Sequence, residues 1–79
     1  MKVYLIQENG ENVATIALTD GMAGSWPITA VSEYVQAQGF APYDEYSDET
    51  QEYILTNEDN FCEVIFCNGY LTASVIGVS

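Results

Sequence analysis

The stretch FCEVIFCNGYLTASVIGV, residues 61–78, decides the fold. Asn68–Gly69 is the dipeptide that best closes a two-residue hairpin, because both central positions of a type I′ turn need positive φ and these residue types adopt it at little cost. A turn there sets Phe66 opposite Leu71, Val64 opposite Ala73 and Cys62 opposite Val75, so one face of the hairpin is wholly apolar. The other face carries Cys67 with Tyr70, Ile65 with Thr72, Glu63 with Ser74 and Phe61 with Ile76. Phe61, Ile65, Tyr70 and Ile76 make that second face too apolar for an ordinary solvated surface.

Upstream, EYILT and a four-residue loop NEDN extend the meander, with Leu55 opposite Cys62 and Tyr53 opposite Val64 on the apolar face. A short helix over 48–56, with Asp48 as N-cap and Gln51 reaching back to it, competes with the strand, which takes precedence. At the other end of the chain, KVYLIQE meets NVATIAL across Asn9–Gly10, a second hairpin signal. A plain two-residue turn there sets Ile6 opposite Val13, Leu5 opposite Ala14 and Val3 opposite Ile16. Val3, Leu5, Ala14, Ile16 and Leu18 then face the core, and Glu8 meets Glu11, a mildly unfavourable like-charge pair.

Between the hairpins, Ser25 offers a side-chain cap, Pro27 suits a first helical turn, and Ile28, Val31 and Val35 recur at helical spacing before Gly39. This predicts one helix at about 27–38. The order is ββαβββ: a single α+β domain over residues 1–79, with an antiparallel sheet and one helix packed on one face.

Twelve Asp and Glu stand against Lys2, with no Arg and no His, for a net charge of −11 over 79 residues. Direct nucleic-acid binding is excluded, because gripping phosphates requires Lys or Arg to displace counterions. Anionic membrane surfaces are disfavoured in the same way. The partners that suit this charge are cations or basic protein surfaces. With 48% hydrophobic and 13% aromatic residues the chain has ample material for a core. The apolar start MKVYLI is too short for a signal peptide, and no run approaches the roughly 18 apolar residues of a membrane span. A cytoplasmic location is therefore expected, in the host cell if a phage encodes the protein.

Material for catalysis is thin. Without His there is no ordinary triad and no common zinc ligand besides cysteine. Cys62 and Cys67 sit five apart in one extended segment, about 16 Å at roughly 3.3 Å per residue and on opposite faces, so they neither pair nor share a metal. Cys62 reads as core, whereas Cys67 has no nearby cation to activate it. Asp44, Tyr46 and Asp48 depart from the EF-hand pattern, with no glycine following and no closing Glu. No enzyme activity, metal or cofactor is expected.

The acids cluster instead. Seven of the twelve fall between 44 and 59: Asp44, Glu45, Asp48, Glu49, Glu52, Glu58 and Asp59. Glu63 projects from the second face of the neighbouring strand. Alternate residues of a strand recur about 6.6 Å apart, so strands and turns can lay out carboxylates at intervals of the order met along a phosphate backbone. Tyr43 and Tyr46, set among the acids in PYDEYSDETQEY, supply rigid amphipathic anchors for an interface.

The start MKVYLI, the early Asn-Gly turn, the single following helix and the run QEYILTNED resemble the N-terminal domain of ArdA-type antirestriction proteins, with Glu52, Tyr53 and Glu58 in matching places. YDEYSDET is similar to the acidic hairpin of the uracil-DNA glycosylase inhibitor. Both are DNA mimics of mobile elements, and small acidic anti-CRISPR proteins belong to the same broad class. The resemblance implies a non-catalytic inhibitor whose partner is a basic, nucleic-acid-binding host protein: a restriction enzyme, a CRISPR effector or a DNA-repair enzyme. The alternative is an acidic interaction subunit or homodimer that uses the apolar second face.

Overall fold

A computed structural model of the chain describes residues 1–21, 23–40 and 53–78. Its elements are β1 (Lys2–Glu8), β2 (Glu11–Leu18), a 3₁₀ turn (Ala23–Ser25), α1 (Pro27–Ala37), β3 (Tyr53–Glu58), β4 (Phe61–Phe66) and β5 (Gly69–Val78). All strand pairs are antiparallel, in the spatial order β2-β1-β5-β4-β3. The helix packs across β5, β2 and β1 on one face. The expected α+β class and ββαβββ order hold. What local pattern leaves open is that β5 returns beside β1, so the two hairpins fuse into one sheet.

Asn9 and Gly10 both have positive φ, as a type I′ turn requires, and Glu8 does stand opposite Glu11. Beyond Gln7↔Asn12, however, the pairing jumps to Ile6↔Ala14 and Tyr4↔Ile16, leaving Val13 as a bulge. One extra residue reverses the faces of the remainder of the hairpin. Tyr4 and Ile6, not Val3 and Leu5, therefore join Ile16 and Leu18 in the core. Residues 3–6 are Val-Tyr-Leu-Ile, apolar at every position, so alternation carries no information about which pair turns inward. Tyr4 satisfies its polar end inside the protein by donating to the Ser25 carbonyl at 2.6 Å.

That contact also bears on the helix start. Ser25 does not cap α1: it is buried, and its hydroxyl donates to the Thr19 carbonyl at 3.0 Å. Proline at the first helical position holds the preceding residue extended. Trp26, at φ −72° and ψ 149°, is consequently the N-cap, one residue after the expected one and without a side-chain bond. Pro27, Ala30, Val31 and Val35 form the buried stripe, with Ile28 and Tyr34 packed at its margin. Gly39, at φ 95°, ends the helix as expected: its N–H donates to Gln36 and that of Phe40 to Val35, a Schellman closure. The Phe40 ring then meets Phe66 edge to face, centroids 4.9 Å apart.

In the β4–β5 hairpin the predicted faces are correct and the predicted registers are not, whereas in β3 the expected core residues Tyr53 and Leu55 are exposed. The turn is Cys67–Asn68, both at positive φ, and Gly69 already pairs with Phe66. Val64 opposes Leu71 and Cys62 opposes Ala73, a slip of two residues from the expected pairing. Because side chains repeat with period two, that slip changes every partner and no face. The register observed puts Tyr70 against the first hairpin: Asn9 N–H donates to the Tyr70 carbonyl at 2.7 Å, and Tyr70 N–H to Asn9 Oδ1 at 3.0 Å. The β3–β4 connection is a two-residue Asp59–Asn60 turn rather than a four-residue loop, since Glu58 pairs with Phe61. A bulge at Leu55 then sets Ile54 opposite Val64 and Tyr53 opposite Ile65, so Tyr53 lies on the open face, 60% exposed. Residues 53–56 are strand; 48–52 lie outside the described residues.

Candidate protein-binding surface

Of the acids expected to form an interface, Asp44, Glu45, Asp48, Glu49 and Glu52 lie outside the described residues, as do Tyr43 and Tyr46. The residues that bracket this run are placed. The chain passes through Phe40, whose ring packs on Phe66, and returns at Tyr53, opposite Ile65, the next residue along β4. Both brackets therefore stand at the end of the sheet where the Cys67–Asn68 and Asn9–Gly10 turns meet. Glu8 and Glu11, both exposed, flank the latter turn.

The cations stand at the opposite end. Lys2 pairs with Leu18 and Val78, and its Nζ reaches Asn60 Oδ1 at 3.2 Å and the Asp59 carbonyl at 3.4 Å. The N-terminal ammonium forms an ion pair with Asp20 at 2.9 Å, and that hydrogen bond holds the Asp20 carboxyl below the usual range. Glu58 and Asp59, exposed at the β3–β4 turn, belong to this second end. The domain thus has an end where Lys2 and the terminal amine offset some acid, and an end where neither reaches Glu8, Glu11 or the brackets of the acidic run.

Glu63 is not a free surface charge. It projects from β4 on the face away from the helix, half-buried, and accepts from the Thr56 hydroxyl at 2.9 Å and from the Tyr70 hydroxyl. Around it Phe61, Ile65 and Tyr70 are half-buried and Ile76 is 56% exposed, as the alternation predicts for the second face. Sequence reasoning set Thr72 on this face but opposite Ile65, and missed that Gln7 stands beside it. Their approach depends on β1 pairing with β5, and no local signal announces a contact across 65 positions.

Cys62 is buried and Cys67 exposed, both as free thiols; Cys67 lies in the turn after β4 rather than on the second face of an extended strand. Burial pushes the Cys62 thiol up to about 12, where it is neither a nucleophile nor a ligand at neutral pH. Among the described residues no group of three or more His, Cys, Asp or Glu is placed to hold a metal ion, and no helix is long and apolar enough to cross a membrane. No protein family, curated protein or solved structure matches the chain.

Proposed function

We propose that the protein is a non-catalytic inhibitor, encoded by a phage or plasmid, that mimics the charge of nucleic acid and blocks the nucleic-acid-binding groove of a bacterial defence protein of the antirestriction or anti-CRISPR type. The observation that carries this reading is the net charge of −11 together with the confinement of the described cations to one end of the sheet. A net charge of −11 rests on a fold whose Lys2 and terminal amine sit at one end, while Glu8, Glu11 and the brackets of the acidic run sit at the other. A body with a net charge of −11 whose described cations are confined to one end suits a basic groove, and it is drawn there by long-range attraction. In this reading Asp44, Glu45, Asp48, Glu49 and Glu52 meet Lys and Arg of the target, with Tyr43 and Tyr46 as anchors, in the host cytoplasm.

The test is capture from a bacterial lysate at low and high salt, in the presence and absence of duplex DNA. The expected partner is a nucleic-acid-binding protein that salt elutes and DNA competes away. Capture indifferent to salt and DNA, or unchanged after Asp/Glu→Asn/Gln exchange across 44–52, refutes the proposal.

A second reading, an interaction subunit or homodimer using the open sheet face, is favoured by the exposed Ile76 beside Phe61, Ile65 and Tyr70. Analytical ultracentrifugation tests its dimeric form, and a strict monomer removes it.

A further inference from the structure

At the end of the sheet where the Cys67–Asn68 and Asn9–Gly10 turns meet, a cleft of about 460 Å³ opens between those turns and the end of α1. Its volume falls within the range of small-ligand sites, roughly 300–1,000 Å³. Tyr34 and Gln38 line it from the C-terminal end of α1, Phe40 from the segment that follows, Phe66 from the end of β4 and Glu8 from the end of β1. Gly69 presents no side chain to it. A Cβ there would stand 3.1 Å from the Phe66 carbonyl and 3.9 Å from Glu8 Oε1, so the carboxylate leans over this glycine. The rim is open to solvent: Glu8 and Gln38 are exposed, Phe40 is 40% exposed and Tyr34 is half-buried.

Three features of the cleft select a cation. First, Glu8 is a carboxylate that neither Lys2 nor the terminal ammonium reaches, because these are held at Asn60 and Asp20 at the far end of the sheet. Second, α1 points its C-terminus here. That end of a helix carries a partial negative charge of about half a unit, and no basic residue stands in the last turn to meet it. Third, Tyr34, Phe40 and Phe66 supply aromatic walls, the two phenylalanines meeting edge to face, and ring faces attract a cation within about 6 Å. Burial first, and the Glu8 carboxylate second, hold the Tyr34 hydroxyl above its usual range, so at neutral pH it stays a neutral phenol and adds no charge. Between the two basic side chains, a carboxylate set among rings favours arginine: its guanidinium is planar, forks onto a carboxylate and stacks on aromatic faces.

We infer that this cleft receives an arginine side chain of the partner protein. The inference rests on the reading that the partner is basic, and it adds a contact outside the acidic run. Charge decides the occupant. Residues 41–52 of this chain carry five carboxylates and no basic residue, which Glu8 repels. A second copy brings no arginine, a single lysine already bonded at Asn60, and a further −11 of repulsion.

The experiment is a ¹⁵N-HSQC titration of the full chain with N-acetyl-arginine methylamide at physiological salt, with the citrulline analogue as the neutral control. Saturable shifts at Glu8, Tyr34, Gln38, Phe40 and Gly69 are expected with the arginine compound and not with the control. E8Q and F40L should each weaken the arginine response by about threefold or more, as the loss of an exposed ion pair or of a cation–π contact does. Both exchanges fall at exposed positions, and their spectra report whether the fold is kept. Shifts that never saturate, that centre on Glu58 and Asp59, that citrulline reproduces, or that persist undiminished in E8Q and F40L overturn the inference. So do NOEs from residues 43–52 to the Phe66 ring, which mark this chain's own segment as the occupant, and cleft shifts on dilution of the protein alone, which mark a second copy. Failure here is separable from failure of the proposed function: DNA-competed capture that is undiminished in E8Q removes the arginine site and leaves the groove-blocking reading standing.

Discussion

Replacing Thr72 by valine should make this protein more stable. Thr72 lies in the middle of the sheet, 8% exposed, with a hydroxyl that has no partner among the described residues. Leaving a buried hydroxyl unsatisfied costs about 1–3 kcal/mol, and the methyl that replaces it contributes about 0.8 kcal/mol on burial. No new orphan is created, because Glu63 keeps its bonds from Thr56 and Tyr70 and Gln7 keeps its bond to Asn12. Threonine and valine are both β-branched and suit a strand equally. A net gain of about 2–4 kcal/mol is expected, and each kcal/mol moves the midpoint of a domain this small by about 4–8 °C. The assay is urea unfolding of the wild type, T72V and T72S at neutral pH, with Cm compared at constant m. The expected order is Val above Thr above Ser, since serine keeps the hydroxyl and gives up the methyl. A T72V less stable than the wild type refutes the reasoning, because it means that the hydroxyl has a partner worth more than its desolvation.

Three further predictions concern the core and the turns. Tyr4→Phe removes the donor to the Ser25 carbonyl and leaves that buried oxygen unpaired, so it should cost about 1–3 kcal/mol in urea unfolding; an unchanged midpoint refutes the bond's contribution. Stability should fall in alkali. The Cys62 thiol is raised by burial from 9.0 to about 12, so its contribution is complete below 9.0 and is lost as pH rises toward 12. Burial raises Tyr4 and Tyr34 as well, in the same direction. Cys62→Ala, though less stable at neutral pH, should lose less between neutral pH and pH 10 or so, and equal losses in both proteins count against the thiol. Gly24→Ala should destabilise by about 1–2 kcal/mol, since Gly24 has φ 72° and an added Cβ would stand 2.9 Å from the Trp26 ring. Gly10→Ala, at φ 87° with open space around it, should cost less; the reverse order in thermal melts refutes the steric part of the argument.

The C-terminal hairpin was readable from residues 61–78 because Glu63 interrupts the apolar run and marks which side faces out, and because the period of two survives a slip of two. The helix was readable from Pro27, its i, i+4 stripe and Gly39. β1 and β3 were misread for a shared reason. Val3 to Ile6 and Tyr53 to Leu55 are apolar at consecutive positions, so a single bulge, at Val13 or at Leu55, decides the inward side. Of the candidate site, the abundance of acid was legible, and the placement of Lys2 at one end of the sheet with Phe40 and Tyr53 at the other was not, since that depends on how the strands pair.

Composition and pattern thus settle the class of this protein: an α+β domain with one helix over one face of a sheet, carrying a net charge of −11. Those properties are sums over many residues or follow local periods, and neither changes when a register slips. Registers and bulges belong to the tertiary structure alone. Adjacent registers differ locally by little, and the choice falls to contacts that are distant in sequence: Asn9 on Tyr70, Tyr4 on Ser25 and Gln7 beside Thr72. The pairing that sets Gln7 beside Thr72 exists only in the assembled sheet.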